Sequence, residues 1–228
     1  MPRIARIVGI GYPHHIIQRG NNRQNIFFDQ EDRRLYLRWL KKYSLECGCT
    51  VHAYCLMNNH VHLLFVPQHN YSLAKTMQKL SLTFTQHINK KYKRTGRLWE
   101  CRFYSALVDK ELYFWSIGRY IERNPVRAKI VSKPDEYRWS SAKANITGKE
   151  MDFIKPIWQD DAKRKEYITF LNNPDKEEEI EIIKKSIING KPIGSKEFLH
   201  RIVETLGITI NTRPKGRPRK RKNEIIEK

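Results

Sequence analysis

The sequence lacks the features that mark secreted or membrane-spanning chains. Its 228 residues include only four cysteines, without a regular disulfide spacing, and no run of about 18 apolar residues occurs. Acidic residues are scarce as well, since 24 Asp and Glu stand against 44 Lys and Arg. These absences argue against a disulfide scaffold and a membrane partner, and they predict a cytoplasmic protein with reduced thiols.

The excess of basic residues points to a polyanionic partner. The formal net charge is +20 and the isoelectric point is near 9.9. Seven of the basic residues lie in the segment 213–222, and the remainder of the chain still has 37 basic against 24 acidic residues. A surplus of this size on both body and tail is typical of nucleic-acid binding, so we expect association with the nucleoid.

Apolar periodicity predicts an α+β fold. Strands are expected at residues 14–18, 50–56, 60–66 and 102–108, and helices at 29–46, 72–93 and 110–123. Ser72 is expected to cap the second helix, and Pro125 to end the third. The order β-α-β-β-α-β followed by a helix matches the ferredoxin-like split β-α-β arrangement, with one antiparallel sheet and helices on a face.

The pattern weakens after about Ser141, which divides the chain into three parts. We predict a body at residues 1–145, a helical extension at 146–210 with helices near 176–189 and 195–206, and a basic tail at 211–228. In the tail, Lys215, Arg217 and Arg219 lie in a Lys-Gly-Arg-Pro-Arg segment like the core of an AT-hook, which reads a narrow minor groove. A polybasic segment held by phosphates alone is the alternative.

Two groups of residues could carry chemistry. His60 and His62 are two apart in a strand, so both imidazoles project from one face and a divalent metal could bind between them. Tyr120 and Asn124 are four apart in a helix and share a face, which would suit an attack on a phosphodiester beside a metal. The alternatives are histidines that fill a half-polar sheet face and a buried structural tyrosine.

Two further segments are candidates for DNA contact. A polar turn rich in hydrogen-bond donors follows the first strand and contains Arg19, Asn21, Asn22, Arg23 and Gln24. Arginines alternate with aromatic residues at Arg97, Trp99, Arg102, Phe103 and Tyr104, as in a stacking platform. A plain hydrogen-bonded turn and ordinary core packing of Trp99 and Phe103 are the competing interpretations.

Four motifs in order resemble a known family. They are QRGNNRQ at 18–24, MNNHVHLL at 57–64, YIERNPVRA at 120–128 and YRWSS at 137–141. Together they closely resemble the REP-associated tyrosine transposases, within the single-tyrosine HUH transposase superfamily, over residues 12–141. Two positions depart from the usual pattern: Asn58 replaces a proline, and Glu100 stands where glutamine is common.

This resemblance implies a DNA strand transferase that acts on single-stranded or hairpin DNA, as a monomer or a homodimer. It implies that His60 and His62 bind Mg²⁺ or Mn²⁺, and that Asn124 supplies a third ligand. It also implies that Tyr120 attacks the scissile phosphate and forms a 5′-phosphotyrosine. Because a free phenol has a pKa near 10, this tyrosine needs the ion or a basic neighbour such as Arg119 or Arg123.

Two other functions are compatible with the same sequence. A non-catalytic nucleic-acid binder could use the same sheet as a platform for bases. A relaxase or rolling-circle replication nuclease would share the metal and tyrosine chemistry but act on a plasmid origin. The small size and the absence of a helicase or primase segment favour the transposase.

Overall fold

The computed structural model describes residues 6–149 and 152–207. The predicted contacts of Lys215, Arg217 and Arg219 therefore lie outside the described residues. The strands are β1 (His14–Arg19), β2 (Cys49–Leu56), β3 (His60–Pro67) and β4 (Tyr104–Leu107). The helices are α1 (Gln30–Cys47), α2 (Ser72–Lys91), α3 (Phe114–Glu122), α4 (Asn124–Arg127), α5 (Ala142–Thr147), α6 (Asp161–Asn172), α7 (Glu177–Asn189) and α8 (Lys196–Leu206).

The four strands form one antiparallel sheet in the order β2-β3-β1-β4. This confirms the predicted ferredoxin-like α+β fold, because the first and third strands lie side by side at the centre. The register places the Cα atoms of Arg19 and His60 opposite each other, and those of Ile17 and His62 likewise. The C-terminal end of β1 and the N-terminal end of β3 therefore lie side by side at one end of the sheet.

Helices pack on both faces of the sheet, whereas the sequence predicted one covered face. Val61, Leu63 and Phe65 of β3 join the core formed with α1 and α2. Leu64, which points the other way, joins a second core with α3, α6 and α7. The strand is apolar on both sides except at its histidines, so both faces must be covered.

Several helix boundaries differ from the predictions for local reasons. Ser72 was predicted to cap α2, but it is the first residue of the helix and Tyr71 holds the cap position. The Ser72 hydroxyl accepts a hydrogen bond from the backbone N–H of His69. Helix α3 begins at Phe114 because the carboxylate of Asp109 accepts the N–H of Glu111 and holds a turn there.

Helix α6 was missed because its apolar stripe is narrow. Its buried residues are only Tyr167 and Leu171. A capping signal was nevertheless present, since the carboxylate of Asp160 accepts the N–H of Lys163 at 2.8 Å.

A buried carboxylate ties the C-terminal helices to α3. Glu122 is fully buried and accepts hydrogen bonds from Ser141 (2.6 Å), Asn145 (2.7 Å) and Tyr167 (2.8 Å). Burial raises the pKa of Glu122, and the three donors oppose that rise. Tyr167 belongs to α6, so the extension helps to fix the helix that carries Tyr120.

Between residues 6 and 149, and between 152 and 207, no helix is both long enough and apolar enough to cross a bilayer.

Candidate active site

His60 and His62 lie at the start of strand β3, on the sheet face that α3 covers. His60 is partly exposed at the edge of the sheet, and His62 is 3% exposed. Their ring centroids lie 4.9 Å apart. Strand alternation therefore brings the two imidazoles together as the sequence indicates.

A third histidine, which the sequence analysis did not single out, contacts this pair. His15 of β1 is 1% exposed, and its Nε2 lies 3.1 Å from Nδ1 of His62. The two rings stack with centroids 5.4 Å apart. Only the pairing of β1 with β3 reveals this contact, because the two residues are 47 positions apart in the chain.

The hydrogen bonds of the pair leave one nitrogen on each ring available. Nδ1 of His60 lies 2.6 Å from the side-chain oxygen of Asn59, and Nδ1 of His62 is engaged by His15. Burial lowers the pKa of His60 to about 4 and that of His62 well below its ordinary value. Both rings are therefore neutral at pH 7, the state in which imidazole binds metals.

Tyr120 packs against these rings from helix α3. Its ring centroid lies 5.7 Å from that of His62 and 5.6 Å from that of His15. The side chain is 8% exposed. Burial raises the pKa of the Tyr120 phenol, and the positive charges of Arg127 and Arg19 oppose that rise.

The guanidinium beside the phenol belongs to Arg127, which the sequence analysis did not assign. It lies 4.3 Å from the centroid of the Tyr120 ring and donates to the backbone oxygen of that residue. The basic neighbours named from the sequence bind acidic residues of the extension: Arg119 pairs with Glu179, and Arg123 shares Asp175 with Arg127. Arg127 is therefore the cation that most directly opposes the effect of burial on the phenol.

Asn124 lies at the first position of α4, with only Arg123 between this helix and α3. Its side-chain nitrogen is buried and has no hydrogen-bond partner among the described residues. No hydrogen bond joins it to His60, His62 or Tyr120. The described ranges contain no cluster of three or more His, Cys, Asp or Glu suited to a metal, so an ion at the histidine pair would need further ligands of another kind.

Arg19 is the basic residue nearest the histidines on β1. It lies opposite His60 in the sheet register, and its positive charge contributes to lowering the pKa of His60. Its guanidinium forms no ion pair or hydrogen bond within the described residues. The Arg19 guanidinium is therefore available to bind a phosphate placed at the histidine pair.

The polar turn after β1 is held in a defined shape. Asn22 and Arg23 adopt left-handed backbone conformations with φ of 50° and 57°, and Asn22 and Arg23 are exposed, with Asn21 half-buried. Gln24 is used internally, because its amide donates to Leu98 and accepts from Arg94. The exposed members can reach a ligand without rearrangement of the turn.

Acidification should destabilise the fold through His14. Its Nδ1 donates to the Tyr12 carbonyl (2.8 Å) and its Nε2 accepts the Gly9 N–H (3.2 Å), so protonation would break the second bond. Burial lowers its pKa to about 4. Below pH 6.5 the unfolded chain binds this proton first, so His14 alone lowers the free energy of unfolding by about 1.4 kcal/mol per pH unit towards pH 4. Urea unfolding at pH 7, 6 and 5 measures this slope; an equal slope in His14→Gln would contradict the assignment.

Comparison with known proteins gives a family and a similar fold. A family model described as IS200-like transposase matches residues 11–124, half of the chain. The structure of a REP-associated tyrosine transposase bound to a REP hairpin is similar, with a TM-score of 0.56 and 15% identity over 72% of this chain and 97% of that one. A transposase-like protein of Deinococcus radiodurans R1 gives a TM-score of 0.37 and 18% identity over 57% of this chain and 92% of that one. No curated protein matches the chain.

Proposed function

Because the chain belongs to the IS200-like transposase family, and is thus a transposase acting on DNA, we propose that it cuts and rejoins single-stranded or hairpin DNA through Tyr120. The observation that carries this proposal is the packing of the Tyr120 ring against His62, which itself adjoins His60. The proposed nucleophile is thus in ring contact with one of the two proposed imidazole ligands. The structurally similar REP-associated transposase is bound to a REP hairpin, which supports hairpin DNA as the substrate.

In the proposed reaction the phenol oxygen of Tyr120 attacks the scissile phosphorus. A P–O bond to the tyrosine forms, and the bond from phosphorus to the 3′ oxygen breaks. The phenol gives up its proton and the leaving oxygen gains one, so the products are a 5′-phosphotyrosine and a free 3′-hydroxyl. Rejoining reverses these steps with another 3′-hydroxyl, and the energy of the phosphodiester is conserved in the protein–DNA link.

His60 and His62 would hold Mg²⁺ or Mn²⁺, with the Asn124 amide as a third ligand. The two imidazoles fit such an ion, since each has Nδ1 engaged and Nε2 available. Asn124 would bind it through the side-chain oxygen, because the amide nitrogen is a hydrogen-bond donor. When bound, the ion would stabilise charge on the phosphate oxygens. Arg127 favours the ionised phenol, and Arg19 would orient the phosphate.

The remaining candidate contacts belong to the same proposal. We assign DNA binding to Arg19, Asn21, Asn22, Arg23, Gln24, Arg102, Lys215, Arg217 and Arg219. In this division the catalytic body is residues 1–145, the helical extension is 146–210, and the tail at 211–228 binds DNA electrostatically. The protein would act in the cytoplasm at the nucleoid, as a monomer or a homodimer.

Covalent trapping tests the proposal directly. The full chain is incubated with labelled hairpin oligonucleotides that carry single-stranded flanks, with Mn²⁺, with Mg²⁺ or with a chelator. We expect a protein–DNA adduct that survives denaturing electrophoresis and appears only with the ion. Hairpin binding without any adduct under all metal conditions would instead favour the non-catalytic binder.

A further inference from the structure

An irregular pairing beside Gln18 opens a cavity on the opposite side of β1 from the histidines. Regular pairing of β1 with β4 ends at Ile17 and Tyr104, and the chains meet again where the Glu100 N–H donates to the Arg19 carbonyl at 2.9 Å. Gln18 of β1 therefore lies opposite three residues, 101–103, of the segment that leads into β4. Such bulges open a sheet edge and re-aim side chains.

This cavity has a volume of about 450 Å³. Its walls combine Met77, Trp99 and Phe103 with the polar side chains of Gln18 and Ser81. Arg6 and Arg102 line it as well, and none of the lining residues is acidic. A flat apolar group attached to an anion suits these walls better than a cation or a simple lipid chain.

Gln18 is the polar residue aimed at this space. It is 3% exposed, and its side-chain oxygen accepts a hydrogen bond from Ser81 at 3.0 Å. Its side-chain nitrogen has no partner among the described residues, although it lines the cavity. An amide that offers a donor and an acceptor can pair with the edge of a nucleobase.

The cavity and the histidine pair lie on opposite faces of the sheet, beside consecutive residues of β1. Gln18 and Arg19 are consecutive in β1, so their side chains point to opposite faces of the sheet. Arg19 lies opposite His60, while Gln18 lines the cavity. A DNA strand that crosses this end of the sheet, with one phosphate on Arg19, can therefore place a neighbouring base on the opposite face.

We propose that this cavity, defined by Gln18, Met77, Ser81, Trp99, Arg102 and Phe103, binds one unpaired nucleobase next to the scissile phosphate. This inference rests on the proposed function. Gln18 pairs with the base edge, the apolar walls contact the base plane, and Arg102, which is exposed at the rim, binds the adjoining phosphate. The site would select the sequence at the cut through a protein contact.

Scanning with abasic nucleotides tests this proposal. Each unpaired position of a hairpin oligonucleotide is replaced in turn by an abasic residue, and the affinity of the full chain is measured by fluorescence anisotropy. We expect one position near the cut to lose affinity by about tenfold or more, with smaller losses elsewhere. In Gln18→Met the loss at that position should shrink to less than about threefold, whereas Arg102→Ala should weaken binding of every oligonucleotide by a similar factor, because an abasic residue keeps its phosphate.

The controls separate this proposal from the proposed function. Gln86→Met introduces the same change at an exposed position of α2 and should keep the wild-type profile. Gln18→Met leaves Ser81 with a second acceptor, the Met77 carbonyl, and its fold is checked by thermal unfolding. A flat abasic profile in the wild type, or an unchanged profile in folded Gln18→Met, overturns the cavity while adduct formation through Tyr120 stands. Failure of every oligonucleotide to bind overturns both.

Discussion

Tyr120→Phe is expected to abolish the covalent protein–DNA adduct while hairpin affinity stays within about twofold of wild type. The substitution removes only the nucleophilic oxygen, and the phenylalanine ring keeps the packing against His15 and His62. Since no other atom replaces the attacking oxygen, adduct yield should fall by at least about a thousandfold. Denaturing electrophoresis with labelled oligonucleotide measures the yield, and anisotropy measures the affinity.

Tyr113→Phe is the matched control for this experiment. Tyr113 immediately precedes helix α3 and is partly exposed, outside the ring cluster around Tyr120. This variant should form adduct at the wild-type level. Persistent adduct in Tyr120→Phe would assign the nucleophile to another residue.

The second large effect is expected at the histidines. His62→Ala should remove measurable Mn²⁺ binding and lower adduct formation by at least about a hundredfold, because one of the two proposed imidazole ligands is lost. His15→Phe should weaken Mn²⁺ binding by about 10- to 100-fold, since it removes the partner that holds Nδ1 of His62. Isothermal titration with Mn²⁺ alone measures both effects without any DNA.

An exposed histidine provides the reference for these titrations. His69 lies after β3, away from the site, and His69→Ala should titrate like the wild type. Circular dichroism and thermal unfolding confirm that each variant is folded. Unchanged Mn²⁺ affinity in a folded His62→Ala protein would place the metal elsewhere.

Much of the site could be predicted because it depends on local periodicity. Alternation in β3 places His60 and His62 on one face, and the four motifs give the family before any contact is known. The predicted ferredoxin-like sheet follows from the order of the elements and is confirmed. These conclusions require only which residues share a strand or helix.

The missed features depend on which elements become neighbours. His15 is one of two adjacent histidines, and only the register of β1 against β3 shows that it, rather than His14, faces the site. Arg127 reaches the Tyr120 ring because Asp175, from the segment before α7, holds its guanidinium at 3.3 Å. Pairings of this kind come from tertiary packing, which composition and spacing do not encode.

The hydroxyl of Tyr167 on the carboxylate of Glu122 makes the body and the extension difficult to exchange between relatives. A chimera that joined this body to a foreign C-terminal region would keep the Ser141 and Asn145 hydrogen bonds to Oε1 of Glu122 but lose the Tyr167 hydrogen bond to Oε2, at a cost of about 1–3 kcal/mol. The destabilisation would affect α3, the helix that positions the Tyr120 phenol. Grafted versions should therefore retain function only when an equivalent hydroxyl donor is grafted with them.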